Sequence, residues 1–312
     1  MKIKILAISL ALIGTTLAAP AQTVNDSTQL IDPGVMYVEP LFEYPIAPEE
    51  LSDFREKCGW LADNFWNPLD IKKKETVDQA KLNHAFQVYA TAVQYAEKDR
   101  VTAAVDKFMK NLQKNPMLLF QMTKAAEETI YGPRADFWID ELYSRILRAA
   151  LANKKFPASK RARYELQLRQ LDATMVGGTP ARFDFVRPNG DPAQYFPMAT
   201  PTIIVFGDPD CDQCRIGKLR MQSNIAFSKA VADGKINVLF IIPDPEEGWQ
   251  SEVAGFPSNW SVGASDTVAD IYDLREIPEV YVIGPEGTVV NKHIGIENAM
   301  ETALSLIGAA KK

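Results

Sequence analysis

The stretch that decides the fold is Pro201-Thr202-Ile203-Ile204-Val205-Phe206-Gly207-Asp208-Pro209-Asp210-Cys211-Asp212-Gln213-Cys214. Up to Phe206 it is apolar and rich in β-branched residues, which predicts a central strand covered on both faces. From Arg215 to Ala232 the period turns helical, with Leu219, Ile225 or Ala226, and Lys229 or Ala230 marking one face. Cys211 and Cys214 therefore fall where a strand hands over to a helix. Thiols at this spacing can close a small disulfide ring and open it again. Cys211 would face the unpaired N–H groups and the positive dipole end of that helix, which favour its thiolate. Redox chemistry is the direct implication.

Outward from this motif, strands and helices alternate. Arg182-Phe183-Asp184-Phe185-Val186 alternates in polarity and runs into Pro188-Asn189-Gly190, a hairpin signal. Ile236 to Ile242 reads as a second fully apolar strand. Val280-Tyr281-Val282-Ile283 and Val289 to Ile294 flank a Gly284-Pro285-Glu286-Gly287 turn, and Asn298 to Ala310 closes the chain as an amphipathic helix with Met300, Leu304 and Ile307. The connection from Pro243 to Ser265 is long and contains Trp249, Phe256 and Trp260. Long connections are often functional; these rings either rim a groove or pack the insertion onto the sheet.

Gly177-Gly178-Thr179-Pro180 separates this half from one with a different period. From Pro48 to Met175 the pattern is helical, with about six segments and no fixed repeat. Val101, Val105, Phe108 and Leu112 form one stripe, introduced by Asp99 as an N-cap. Asn115-Pro116 is a cap followed by proline at the first helical position, and Gly132-Pro133 is a stop signal. Ile139, Leu142, Ile146 and Ala150 mark a further helix; Tyr164, Leu168, Leu171 and Met175 mark the last. Trp60, Trp66, Phe86, Tyr89, Phe137 and Trp138 read as core rather than a ligand pocket. Of the three cysteines, Cys58 lies on a stripe with Leu51, Phe54, Leu61 and Phe65, where a free thiol behaves as a small hydrophobe.

The N-terminus has the pattern of a secretory signal: Lys2 and Lys4, an apolar run from Ile5 to Ile13, then Ala19-Pro20-Ala21. Cleavage is expected near Ala21, giving a periplasmic protein; an uncleaved anchor is the alternative. Removing the leader takes two lysines and no acids from a chain of formal charge -6. That balance argues against nucleic acid and anionic membranes as partners. The expected organisation is a signal peptide over 1–21, a linker over 22–46, an all-α domain over 47–176 and an α/β domain over 177–312.

The segments "TPTIIVFGDPDCDQCRIGKLRM" and "DLREIPEVYVIGPEGTVVNKHIG" resemble the thioredoxin fold. The likeness is to the extracytoplasmic thiol–disulfide oxidoreductases of the ResA and TlpA branch, and Ala181 to Gly190 resembles that branch's added N-terminal hairpin. The helical half resembles an uncharacterised domain found ahead of such folds in exported bacterial proteins. The resemblance implies Cys211 as nucleophile, Cys214 as resolving cysteine, and Pro278 as a cis-proline facing them. The Ile277 backbone would then pair with the client chain. It implies no bound cofactor, protein substrates held through a transient mixed disulfide, and a membrane reductase as electron donor.

Three departures from the family pattern stand out. Gly217 occupies the place of a glutamate that assists proton transfer in many relatives. Asp210 stands where thioredoxins often have tryptophan. Asp208, Asp210 and Asp212 crowd the motif with negative charge, which Arg215 and Lys218 offset in part. Such a site is expected at the reducing end of the family, because a strong oxidant needs a stabilised reduced form.

Rival readings use the same residues. A zinc site would combine Cys211, Cys214 and Cys58 with His84 or His293, yet it lacks the second close ligand pair usual for zinc. The two histidines read as ordinary surface or capped residues. A thiol peroxidase would need a threonine that Gly207-Asp208-Pro209-Asp210 does not supply. The non-enzymatic alternative is a binding module whose thioredoxin-like half is a docking domain with a structural disulfide.

Overall fold

The computed structural model describes residues 38–309. The expected leader and positions 22–37 of the expected linker lie outside them. Among the described residues no helix is long and apolar enough to cross a membrane.

The first half is helical: α1 (Phe54–Asn64), α2 (Gln79–Val93), α3 (Lys98–Leu112), α4 (Pro116–Ile130), α5 (Asp140–Ala152) and α6 (Ala158–Ala173). Three of these starts follow from short polar side chains that accept orphan amide hydrogens. Asp53 accepts from Glu56, Asp78 from Ala80 and Lys81, and Asn115 from Leu118 with Pro116 in the first turn. The third helix differs from expectation: it begins a residue before Asp99, with Glu97 at the cap and no side-chain cap bond. Asp99 sits in the first turn instead, where an acid still complements the dipole. Met175 falls beyond the end of α6.

Leu82, Phe86, Leu119, Tyr143 and Leu147 centre the helical core. Trp66 meets the Phe65 ring edge-on and the Tyr89 and Phe86 rings at a tilt, with ring centroids 5.0, 5.4 and 6.1 Å away. Leu41, Phe42 and Tyr44 pack onto the same core. Cys58 is buried in α1 as a free thiol, although Phe54 of its expected stripe is exposed. Phe137 and Trp138 are only half-buried. The loop that carries them reaches the second half of the chain.

That half is one sheet of seven strands, ordered β2-β1-β5-β4-β3-β6-β7. The strands are β1 (Phe183–Val186), β2 (Pro192–Tyr195), β3 (Thr202–Phe206), β4 (Asn237–Ile242), β5 (Ser261–Ala264), β6 (Glu279–Ile283) and β7 (Val289–Lys292). Strand β3 runs parallel to β4 and antiparallel to β6. Its residues are all buried because both faces are covered. On one face Val205, Phe240, Val280 and Val282 meet α7 (Asp212–Ser223), α8 (Ile225–Ala232), α9 (Trp249–Glu252) and α10 (Ile296–Ala309). On the other, Ile204, Phe206, Tyr281 and Ile283 pack with Phe183, Tyr195 and Tyr272.

Two expectations are corrected here. The helix after the cysteines is two helices, parted at Asn224, whose side chain caps the second by accepting from Phe227. The residues that marked its apolar face are partly outside: Leu219 is 61% and Ile225 85% exposed, while Met221 and Phe227 are buried. The long connection also contains an unforeseen strand, β5, parallel to β4 and antiparallel to β1. Trp249 is buried there, and Phe256 and Trp260 pack onto the core, so these rings fasten the insertion to the sheet.

The halves are joined by more than the chain. Gly177 N–H donates to the Val289 carbonyl at 2.8 Å, and Val289 N–H donates to Gly178 at 2.9 Å. Gln170 of α6 donates to the Ala269 carbonyl. Beside these bonds lies a buried cluster of charges shared by both halves.

Candidate active site

Strand β3 ends at Phe206, and Gly207 must have no side chain. A Cβ there would stand 2.8 Å from the Phe240 ring and 3.1 Å from the Cys214 sulfur. The turn that follows is held by Asp208, whose Oδ1 accepts from Asp210 N at 2.8 Å and whose carbonyl accepts from Cys211 N at 3.1 Å. Cys211 is thereby set at the N-cap of α7, with no side-chain cap bond of its own. Cys214 is one turn in, on the helix face turned to the sheet.

The two thiols have different surroundings. Cys211 is half-exposed, and Cys214 is 4% exposed, sharing an apolar pocket with Val205, Phe240, Trp260, Pro278 and Ile296. Burial pushes the Cys214 thiol up to about 12, helped by a hydrogen bond with Cys211 and opposed by the Asp208 backbone. The Ile277–Pro278 peptide is cis. The Cys211 thiol points at the Ile277 carbonyl, 3.8 Å away. The structure thus brings Cys211, Cys214, Ile277 and Pro278 into one place.

Charge is kept at the rim. Asp212 is paired with Arg215, which also donates to the Asp210 carbonyl at 3.3 Å. Lys218 lines the outer part of the pocket with its ammonium 4.4 Å over the Phe256 ring. Gly217 has a packing reason: a Cβ would lie 2.9 Å from Cγ1 of Ile296 in α10, so no longer side chain fits. Glu279, directly after Pro278, does not replace the missing acid. It is in register with Phe206 and so lies on the face opposite Val205 and the thiols.

His84, Cys58 and His293 do not gather round the thiols. Cys58 is buried in α1, and His84 Nδ1 meets the Tyr44 hydroxyl at 2.9 Å. His293 is no surface residue. It adopts φ 54° just after β7 and its side chain is buried. It belongs to the charge cluster that the sequence reading missed, at the other end of the same loop.

In that cluster Asp140, the first residue of α5, accepts from Arg275 at 2.5 Å, from His293 at 3.3 Å and from Lys292. Asp273 accepts from Arg275 Nε at 2.8 Å and from the Tyr131 hydroxyl at 3.1 Å. Arg275 stacks over Tyr131, 4.1 Å from its centroid. Glu279 Oε2 is 2.9 Å from His293 Nδ1, close enough for charge attraction but not aligned as a hydrogen bond. Burial pushes the Asp140 carboxyl up, but His293, Lys292 and Arg275 outweigh it and hold it far below the usual carboxylate range. Burial pulls His293 down, while Asp140 and Glu279 outweigh it and raise it. Asp140, Asp273 and His293 offer three donor atoms within 4.8 Å of one another. Arg275 and Lys292 already neutralise those carboxylates, so the set fits an ion network rather than a metal. The partners are 135 to 153 residues apart in the chain, which explains why no local pattern announced them.

One solved structure agrees with this architecture. A thioredoxin-like protein from Bacteroides caccae superposes with a TM-score of 0.72 at 18% identity, over 86% of this chain and 99% of that one. That likeness covers both halves and shows the fold. A conserved protein of unknown function from Bacteroides fragilis is 27% identical over 41% of this chain and 98% of its own, with a TM-score of 0.39. The thioredoxin domain of a thiol-disulfide oxidoreductase from Bacteroides vulgatus is 17% identical over 42% of this chain and 97% of its own, with a TM-score of 0.36. No curated protein matches the chain. With residues 14–173 matching the family described as Domain of unknown function (DUF5106), just over half its length, the chain belongs to that family and carries behind it a thioredoxin-like fold.

Proposed function

We propose that this chain is an exported thiol–disulfide oxidoreductase that exchanges two electrons with protein clients through Cys211 and Cys214, acting as a reductant. The observation that carries this reading is the half-exposed Cys211 sulfur, 3.8 Å from the Ile277 carbonyl, with Cys214 shielded behind it. Ile277 is 38% exposed, which leaves its backbone open to pairing with an incoming strand. Export rests on the N-terminal pattern, and a membrane reductase would restore the dithiol.

In the forward step the Cys211 thiolate attacks one sulfur of a client disulfide. A Cys211–client bond forms, and the second client sulfur leaves as a thiolate that takes a proton from water. Cys214 then loses its proton to solvent and attacks Cys211. The intramolecular disulfide forms, and the client's remaining sulfur departs as a thiolate. Two electrons have passed from dithiol to client. The apolar surroundings of Cys214 disfavour its thiolate, which slows the second step at neutral pH and supports a site on the reducing side.

Replacing Cys214 with serine should trap the client on Cys211 as a mixed disulfide that dithiothreitol releases. Equilibration with glutathione should give a reducing potential; one near that of the periplasmic oxidant, about -120 mV, would overturn the reductant assignment. Failure to reduce insulin or any small disulfide would favour the binding-module alternative, which the packed Gly217 position supports.

A further inference from the structure

The family's helical domain forms one wall of a cleft that begins at the client-facing loop. The cleft holds about 730 Å³. Its helical wall is the Ala135–Glu141 segment, including Phe137 and Trp138; Met175 and Val176 come from the segment after α6, Glu276 from the loop itself, and Lys98, Lys292 and His293 complete the lining. Glu276 adjoins Ile277, whose carbonyl faces the Cys211 sulfur at 3.8 Å. A chain paired with Ile277 would pass Glu276 at the edge of this cleft within a residue or two of its cysteine, given the reach of about 3.3 Å per extended residue.

The wall is fixed in place. Trp138 Nε1 donates to the Gly132 carbonyl at 3.0 Å, Ile139 N–H to Ile130 at 3.1 Å, and Asp140 is tied to Arg275 of the loop. The lining pairs apolar surface with an excess of acid. Phe137, Met175 and Val176 are half-buried or exposed, Val176 at 53%. Glu141 is paired with Lys98 at 2.7 Å and Asp140 with Lys292, while Asp136, which accepts from Gln87 at 2.6 Å, and Glu276 are exposed and have no cationic partner among the described residues.

We propose that this cleft is a specificity site for the client polypeptide, taking an extended segment whose cysteine is flanked by an apolar side chain and a lysine or arginine. The proposal rests on the exchange reaction above and gives the helical domain its part in that reaction: it selects the chain that Cys211 attacks. The apolar residue loses water against Phe137 and Val176, and the cation meets Asp136 and Glu276.

The test uses the full-length reduced protein and two synthetic hexapeptides, each with one cysteine activated as a disulfide with 2-nitro-5-thiobenzoate. One has leucine and arginine beside the cysteine, the other glycine and aspartate. Attack by Cys211 on the peptide sulfur releases the coloured thiolate, and Cys214 then frees the peptide thiol. Each rate is divided by that of the same peptide with dithiothreitol, which removes intrinsic reactivity. The leucine–arginine peptide should react about tenfold faster, the value of one buried apolar side chain. Asp136→Lys with Glu276→Lys, and separately Val176→Asp, should bring the ratio toward one; a ratio does not depend on the folded fraction. Equal rates in the unaltered protein, or a ratio that survives these substitutions, would overturn the cleft. No release from either peptide or from the parent aromatic disulfide would instead remove the exchange chemistry, and the cleft with it.

Discussion

On one side of the Asp273–Glu279 segment, Pro278 and Cys214 share an apolar pocket, with charges confined to its rim. On the other side, Asp273 and Arg275 of the same segment join Asp140, Lys292, Glu279 and His293 in a buried network. The first region keeps a thiol neutral by excluding charge and water. The second holds ions out of water by giving each an opposite partner, an arrangement that fixes geometry more than it adds stability. The loop that carries Ile277 and Pro278 is thus clamped from behind by Asp140 of the helical domain. Rigidity is supplied at a distance from the sulfurs, by ions that do not line the thiol pocket.

The comparison can be broken most severely at the sulfurs. Cys211→Ser should reduce disulfide exchange to background while leaving thermal unfolding intact; Cys58→Ser should do the reverse, costing about 1–3 kcal/mol for a buried hydroxyl with activity retained. Next is Asp140→Ala, which leaves Arg275 and Lys292 buried without their shared carboxylate. It should destabilise by about 3–5 kcal/mol in urea titration, and exchange should slow in the fraction that stays folded. Unchanged stability would mean that water reaches the cluster.

A gentler probe is pH. With the Cys214 thiol raised to about 12, release of a peptide from Cys211 in single-turnover experiments should accelerate about tenfold per pH unit between pH 7 and 9. A plateau near neutrality would show that the pocket opens. Gly217→Ala should cost about 1 kcal/mol net, because crowding against Ile296 of about 1–3 kcal/mol exceeds the helix-propensity gain. The smallest effect is expected at His293. Its pKa is raised in the fold, so its contribution is complete below its unfolded value of about 6.5 and fades as pH rises through the folded value. Comparison of His293→Gln with the unaltered protein at pH 5.5 and 8.5 should show the larger loss at the acid end. The groups that face this imidazole are Asp140, Glu279, Arg275 and Lys292.

Much of the thiol region was legible in the sequence, since β3, the Cys211–Cys214 spacing and Ile277-Pro278 carry local signals that survive folding. The strand β5 was not: Ser261-Val262-Gly263-Ala264 is short and weakly apolar. Its Gly263 is needed because a Cβ would stand 2.3 Å from the Phe185 ring of β1. The break at Asn224 was hidden because apolar spacing continues across it. Asp140, Arg275 and His293 read as ordinary polar residues until the fold sets them together. Gly217 read as a lost helper, whereas the approach of α10 leaves no room for one.

The two amide bonds between Gly177–Gly178 and Val289 have one more result. They cover part of the outer strand β7 with the chain's own connector. At the far margin, β2 is four residues long and starts with Pro192, which has no amide hydrogen to offer. A stray unfolded chain seeking a ladder to extend meets a blocked rail on one side and a stub on the other. On the proposed reading, backbone pairing is left to Ile277, whose carbonyl lies 3.8 Å from the Cys211 sulfur.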